Sequence, residues 1–398
     1  MIAAARMLTQ RARTTAFKEY TVLKQSRKFR YKAMTARRLL RVLLLALLAL
    51  SYGCSEVSYC VQCAVGHLDV MSKVRPIEEV LEDPATSDAE RAKLTKLLDI
   101  RDFAVDELGL PDNDSYRLYA DIEQPYVVWN VVATPEFSMT PKQWCYPVVG
   151  CVSYRGYFDA QDANTMGDEL TSEGYDVDVY GVKAYSTLNW FDDPVLSTFI
   201  DGTDRQLAAL IFHELSHQVV YAPGDCAFNE AFAKTVEMEG LRRWLHSRSD
   251  DKQWHQYLKL EELGQQFVDT LQQTRQQLVQ LYQQPLQEDA KRAAKQQLMA
   301  QLEAELRNLQ QRWPDPAAID SWLERGLNNA RLASVATYHD QVPAFQALLQ
   351  EKNGDLPAFF VEVERLAQLP AEERTAKLKS YGEYQAQACV EMTEMEQE

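Results

Sequence analysis

The chain has 398 residues, of which 46% are hydrophobic, and a net charge of −16 at pH 7. This composition excludes an intrinsically disordered protein and is sufficient for a substantial core. The charge is divided unevenly: residues 1–53 hold 12 of the 42 basic residues and one of the 58 acidic ones, which leaves 30 basic and 57 acidic residues for the remainder. A body with a net charge of −27 disfavours nucleic acid and bare anionic membrane surfaces as partners.

An apolar run over residues 42–50 follows several arginines and ends shortly before Gly53-Cys54. Nine residues are too few to cross a bilayer, so the run favours a cleaved signal peptide over a permanent transmembrane helix. The segment 1–53 resembles a bacterial lipoprotein signal peptide, with Met34 as the expected true start. The resemblance implies that Cys54 is lipidated and that the protein is anchored in the cell envelope, at the outer membrane and facing the periplasm.

Helices and strands then follow in a mixed order. Residues 54–110 favour helices, and a strand-rich stretch follows that contains 126–132 and a hairpin over 145–158. A short helix is expected near 159–172 and an alternating strand over 175–187. This last strand has two interpretations: an ordinary member of a sheet, or an edge that binds the substrate backbone by strand addition.

Six cysteines remain after Cys54, an even number that allows up to three disulfides in an oxidising compartment. Cys145 and Cys151 are the best candidate pair, because the residues between them are typical of a tight turn. Cys60 and Cys63 imitate a redox or metal motif, but without a second pair a structural role is favoured.

The most informative segment is His213-Glu214-Leu215-Ser216-His217. Apolar residues at helical spacing surround it, Thr203 or Asp204 can cap the start of the helix, and Pro223-Gly224 ends it. Residues four apart lie on one helix face, so both imidazoles can reach a single tetrahedral ion, with Glu214 beside the metal rather than on it. The alternative is two helix histidines that make ordinary hydrogen bonds.

A second helix containing Asn229-Glu230 follows closely, and Glu230 is the natural third ligand. The stretch 228–233, Phe-Asn-Glu-Ala-Phe-Ala, resembles the L-N-E-G-F-A stretch of gluzincin aminopeptidases, and the wider chain resembles the bacterial family of predicted-aminopeptidase lipoproteins. The resemblance implies one Zn²⁺ ion held by His213, His217 and Glu230. It also places Glu237 and Asn229 in supporting positions behind the ligands, although Glu237 as a solvated helix charge is the alternative.

The resemblance further implies metal-assisted hydrolysis of peptide bonds. Water at the open position of the zinc ion gives its proton to Glu214, which passes it to the leaving amine. A tyrosine or histidine usually stabilises the oxyanion, and the candidates are Tyr338 first and His339 second, with a structural tyrosine as the alternative. The interval between His217 and Glu230 is shorter than is usual in gluzincins, so the loop is expected to be tighter.

No G-x-M-E-N stretch is present, and in the better-known gluzincin aminopeptidases its glutamate binds the free amine of the substrate. Aminopeptidase specificity therefore comes only from the resemblance to the lipoprotein family. The alternatives are a zinc endopeptidase and a non-catalytic envelope lipoprotein that binds peptides or proteins on a peptidase-like scaffold. A fourth protein ligand that closed the site would favour the non-catalytic lipoprotein, and Cys226 is the candidate for that ligand.

From about residue 254 to 312 the chain is rich in Gln, Leu, Glu and Lys at helical spacing, with a break at Pro285, which predicts a hairpin of two long helices. The expected fold class is α+β: a zincin-like domain with a mixed sheet before the motif helix and a largely helical C-terminal part. The predicted divisions are the signal peptide over 1–53, an N-terminal helical segment over 54–110, a core over 111–250, and a helical extension over 251–398 that packs on the core.

Overall fold

A computed structural model of the chain describes residues 58–146, 150–184, 192–335 and 341–381. The chain divides into two compact units, Met1–Val65 and Gly66–Glu398. In the first unit residues 58–65 are helical, while the predicted signal peptide and Cys54 lie outside the described residues. Among the helices that the structure does describe, none has both the length and the apolar character needed to cross a membrane.

The second unit mixes α-helices with short strands, and the predicted α+β class is confirmed. The strands are β1 (Val74–Pro76), β2 (Leu118–Ala120), β3 (Val128–Pro135), β4 (Trp144–Tyr146), β5 (Gly150–Val152), β6 (Arg155–Tyr157), β7 (Tyr175–Val182) and β8 (Val195–Leu196). The helices are α1 (66–72), α2 (Ile77–Glu82), α3 (Asp88–Asp106), α4 (Ala160–Ser172), α5 (Ser197–Ile200), α6 (Asp204–Val219), α7 (Cys226–Ser247), α8 (Asp251–Gln283), α9 (Glu288–Gln310), α10 (Pro316–Glu324), α11 (Asn329–Ser334), α12 (Val342–Glu351), α13 (Leu356–Ala367) and α14 (371–381).

In the described part of the chain the strands form three small sheets, and all of them precede α6. In the longest pairing, β3 and β7 are antiparallel, with Val128 opposite Val182 and Pro135 opposite Tyr175. β6 lies on the other side of β3, so β7 is an edge of this sheet. A second sheet has the order β1-β2-β8 and is mixed, because β1 pairs with β2 in antiparallel and β8 pairs with β2 in parallel. β1 lies within the stretch 54–110, which the sequence predicts to be helical.

The β7 edge is partly occupied by the helical part of the chain. The side-chain amide of Asn328 donates to the carbonyl oxygen of Val177 at 2.8 Å, and the backbone N–H of Asn329 donates to the carboxylate of Asp176 at 2.8 Å. The Asn328 side chain therefore occupies the backbone carbonyl of Val177, a group that an added strand would use. The region 185–187 of the predicted strand lies outside the described residues.

The main core packs around α6 and α7. Leu207, Ile211 and Leu215 of α6 are fully buried, as are Phe228 and Phe232 of α7. Aromatic rings from later helices close this core, since the Phe228 ring lies 5.0 Å from that of Phe345 in a T-shaped contact. The buried apolar surface holds α6 and α7 side by side and fixes the face that each presents to the other.

A second, smaller core lies under the long helices α8 and α9, which pack against each other with Pro285 in the short connection between them. Leu271 and Leu278 of α8 meet Leu302 and Leu306 of α9 at helical spacing. Near the sheets, Cys145 and Cys151 are joined by a disulfide that closes the β4–β5 hairpin, with Cα atoms 3.9 Å apart.

Candidate metal and catalytic site

Helix α6 carries His213, Glu214 and His217. It starts at a capping box, in which the Thr203 hydroxyl accepts from the N–H of Gln206 at 3.3 Å and the N–H of Thr203 donates to the Gln206 side chain at 2.9 Å. Thr203 is thus the cap, one of the two residues that the sequence offered. The two histidines are four positions apart on one face of α6. Because the opposite face is buried in the main core, both imidazoles are directed toward α7.

The loop between α6 and α7 is short, and hydrogen bonds and an ion pair hold it in place. Asn229 is buried, and its side-chain oxygen accepts from the N–H of Ala222 at 2.8 Å while its amide donates to the Ala222 carbonyl at 2.9 Å. Asp225 caps α7 by accepting from the N–H of Phe228 at 3.1 Å, and Arg374 pairs with the same carboxylate at 2.8 Å. Asn229 therefore supports the site through the loop backbone rather than through a histidine.

These helices bring His213, His217 and Glu230 together, with one potential ligand atom from each within 4.8 Å of the others. The two Nε2 atoms are 3.3 Å apart. Glu230 Oε2 lies 3.2 Å from His213 Nε2, and Glu230 Oε1 lies 3.6 Å from His217 Nε2.

This donor set fits a zinc ion. Two imidazole nitrogens and one carboxylate are ligands that zinc takes in catalytic sites, and bonds of about 2.0–2.1 Å in a tetrahedral arrangement place neighbouring ligand atoms about 3.3 Å apart. The three measured separations are close to that value. Cys226, the possible fourth ligand, is exposed and does not belong to the cluster of ligand atoms in the described part of the chain.

His213 is oriented from behind by Glu237. The Nδ1 atom of His213 lies 3.2 Å from Glu237 Oε2, on the side of the ring opposite to Glu230. Burial alone would raise the pKa of Glu237, but the hydrogen bond with His213 and the ammonium of Lys234 lower it below its usual range. Glu237 is therefore an ionised acceptor, which favours a proton on Nδ1 and turns Nε2 toward Glu230.

The two histidines have very different proton affinities. Burial opposes the charged form of His213, but hydrogen bonds to Glu230 and Glu237 raise its pKa to about 10. Burial and the neighbouring His213 lower the pKa of His217 to about 4. His217 Nδ1 is buried and has no hydrogen-bond partner among the described residues, so no group behind the ring orients it as Glu237 orients His213.

Glu214 is half-buried on α6, next to His213. Burial raises the pKa of its carboxyl, and the charges of Glu230 and Asp193 raise it further, against the effect of His213. A raised pKa brings a carboxyl closer to the range in which it exchanges protons efficiently near neutral pH. Tyr116 lies near enough for Glu214 to raise the pKa of its hydroxyl, which burial already raises strongly.

Three residues close to the site gave no signal in the sequence. Tyr116 combines a φ of 61° with burial, a conformation that no local pattern predicts. Lys234 and Tyr257 hydrogen-bond to Glu237, but one is an ordinary helix lysine by pattern and the other is 20 residues away in sequence. The predicted oxyanion residues Tyr338 and His339 lie outside the described residues.

Fold and site together define an α+β protein with two histidines and a glutamate on two packed helices, a group that could hold a metal ion. The model of one protein family, described as "Putative aminopeptidase", matches residues 58–378. The match covers most of the chain and all of the site, so the chain belongs to this aminopeptidase family. No curated protein and no solved structure matches the chain.

Proposed function

We propose that this protein is a zinc-dependent aminopeptidase of the gluzincin type. One observation carries the proposal: His213 Nε2, His217 Nε2 and the Glu230 carboxylate converge at separations that suit one tetrahedral ion, with Glu214 on the same helix. Membership of the aminopeptidase family supports the reaction class.

The residues take distinct roles in this proposal. His213, His217 and Glu230 hold the ion, which when bound supplies Lewis-acid chemistry for peptide hydrolysis. Glu214 accepts a proton from the attacking water and donates it to the leaving amine, and its raised pKa suits both steps. Tyr338 stays the candidate that donates a hydrogen bond to the oxyanion.

An open ligand set favours catalysis over a purely structural metal site. Structural zinc sites usually have four protein ligands, whereas the cluster in the described residues has three. Glu214 would also have no use beside a closed site. The binding-lipoprotein alternative is therefore the weaker one, and it becomes the better one only if the zinc-loaded protein binds peptides without cleaving them.

The test is mass-spectrometric mapping of cleavage in a peptide mixture, offered both free and N-acetylated, with the zinc-loaded protein. We expect removal of residues from free N-termini only, and a loss of about 10²–10⁴ in kcat for Glu214→Gln with zinc content unchanged. Glu239→Gln is the matched control, because this half-buried α7 carboxylate pairs with Arg242 and Arg243 instead of facing the ligands. Cuts inside blocked peptides would show an endopeptidase, and no cleavage by the wild type would sink the enzyme proposal.

We also propose that Cys54 carries a lipid that anchors the protein in the cell envelope. The support is the sequence alone: a basic start, a short apolar run and Gly53-Cys54. Fractionation of cells expressing wild type and Cys54→Ser tests it. We expect the wild type in the membrane fraction and the variant outside it; equal distribution of the two would contradict the anchor.

A further inference from the structure

The carboxylate of Glu237 has partners on both oxygens. Oε2 faces His213 Nδ1 at 3.2 Å. Oε1 accepts two hydrogen bonds, one from Lys234 Nζ at 2.8 Å and one from the Tyr257 hydroxyl at 3.0 Å. On the side of the carboxylate that faces away from His213, the donors are therefore the Lys234 ammonium and the Tyr257 hydroxyl.

Those two donors also contact each other and a second carboxylate. Lys234 Nζ donates to the Tyr257 hydroxyl at 3.1 Å and lies 2.9 Å from Glu261 Oε2. The ammonium thus meets Glu237, Tyr257 and Glu261, which matches the three donors of a lysine. The Tyr257 hydroxyl accepts from Lys234 and donates to Glu237, and Glu261 is a second carboxylate within hydrogen-bond reach of the same hydroxyl.

The donors are held rigidly in the interior. Tyr257 is 3% exposed and its ring stacks on that of Trp254, with centroids 5.5 Å apart. Tyr257 and Glu261 are four residues apart and lie on one face of α8. The first turns of α8, which the sequence assigned to the helical extension, therefore reach the back of the ligand cluster.

We propose that Lys234 and Tyr257 are positioning residues of the metal site, and that they act through Glu237 on His213. The inference rests on the proposed zinc site. With Oε1 held by two donors, the Glu237 carboxylate cannot rotate, and Oε2 stays directed at His213 Nδ1. An oxygen that can only accept keeps a proton on Nδ1, so Nε2 is the ring nitrogen that is turned toward Glu230 and available to a metal ion in exchange for its proton.

The test measures zinc affinity by competition with a chromogenic chelator for the full chain and for Tyr257→Phe and Lys234→Met. Loss of a group that orients a ligand typically weakens metal binding about 10–100-fold, and we expect a loss in this range for each variant. With Co²⁺ as a spectroscopic probe, the visible absorption bands of both variants should shift, because the imidazole of His213 is no longer held in one orientation.

Two matched controls separate positioning from a general loss of structure. Tyr282→Phe removes a hydroxyl of the same helix, which donates to Asn329 at 2.8 Å far along α8. Lys295→Met removes a similarly buried lysine, which pairs with Asp176 at 2.6 Å. Both controls should bind zinc and Co²⁺ as the wild type does.

The outcomes are distinguishable. Wild-type zinc affinity and an unchanged Co²⁺ spectrum in folded Tyr257→Phe would overturn the inference while the proposed function stands. If Lys234→Met fails to fold, the result for Tyr257→Phe alone tests the inference. A wild-type chain that binds no zinc would remove the proposed function and this inference with it. Equal weakening in the controls would assign the effect to stability and would also overturn the inference.

Discussion

Two buried carboxylates, Glu237 behind His213 and Asp178 on strand β7, differ in the direction of their pKa shifts. The polar partners of Glu237 lie at 2.8–3.2 Å, whereas those of Asp178 lie at 3.1–3.5 Å. Lys234 and His213 lower the pKa of Glu237 against the effect of burial. For Asp178 burial dominates and raises the pKa, although two arginines oppose it.

The difference shows that burying a charge serves two purposes in this molecule. Around Glu237 the donors are close, and the carboxylate presents an acceptor to a histidine of the site. Around Asp178 the contacts are longer and come from α11 and from the end of α10, so they tie the helical part to the sheet. The first network is predicted to control metal binding and the second to control stability.

The largest effect on stability is expected for Arg331→Met. Arg331 is 1% exposed and lies 3.5 Å from Asp178, and its guanidinium also donates to the Trp322 carbonyl. Its removal leaves a buried carboxylate poorly paired, which costs about 3–5 kcal/mol of unfolding free energy. Urea unfolding measures the loss, and zinc affinity should not change. Arg325→Met, which removes the more exposed arginine, is the control with the smaller loss; an equal loss would contradict the assignment.

A smaller loss of unfolding free energy is expected for Asn229→Ala, and this substitution should also affect the candidate metal site. Both backbone groups of Ala222 lose their partner, which costs about 1–3 kcal/mol. Because Glu230 is the next residue, zinc affinity should fall as well. Asn130→Ala is the control, since among the described residues its amide has a long contact of 3.5 Å with the Tyr180 hydroxyl. Unchanged zinc affinity in Asn229→Ala would show that the loop does not position Glu230.

The pH dependence of stability should have opposite signs for the two carboxylates. Glu237 has a folded pKa below 4.5, so its contribution is present above that value and is lost as the pH falls through the folded pKa. Asp178 has a folded pKa above 3.8, so its contribution is greatest at low pH and is lost as the pH rises through the folded pKa.

Urea unfolding of the metal-free protein between about pH 4 and 7 tests these signs. As the pH rises, the wild type should gain stability relative to Glu237→Gln and lose it relative to Asp178→Asn. The same sign for both variants would refute the contrast between the two networks.

The smallest effect is expected at the surface. Arg292 and Glu136 form a close ion pair at 2.6 Å, but both side chains are more than a third exposed. Water and salt screen such a pair, so Arg292→Ala should leave the urea midpoint and the zinc affinity unchanged. A clear shift in the urea midpoint would show that this surface ion pair also stabilises the contact between α9 and the end of β3.

Several features of the fold and the site were readable from the sequence because they depend on local periodicity. The i, i+4 spacing placed His213 and His217 on one face, and Thr203 marked the start of α6. Glu230 followed at the start of the next helix, and Cys145 and Cys151 flanked a turn that the disulfide closes. The α+β class followed from the order of alternating and helical stretches.

Other features were not readable because they join residues that are distant in sequence. Nothing near residue 74 indicated that β1 pairs with β2, and the strand that the pattern made available for substrate is partly covered at Val177 by Asn328. Tyr116 reaches Glu214 through a backbone conformation that no hydrophobic pattern encodes.

The sequence by itself determined which residues can form the ligand set, since helical spacing and the chemistry of His and Glu are local properties. Only the tertiary structure decided how that set is held. The packing of α7 against α8 brings Tyr257 to Glu237 and Glu261 to Lys234, and Glu237 in turn contacts His213. The physical reason is that a hydrogen bond depends on distance and direction in space, which the packing of the helices sets and their separate sequences do not.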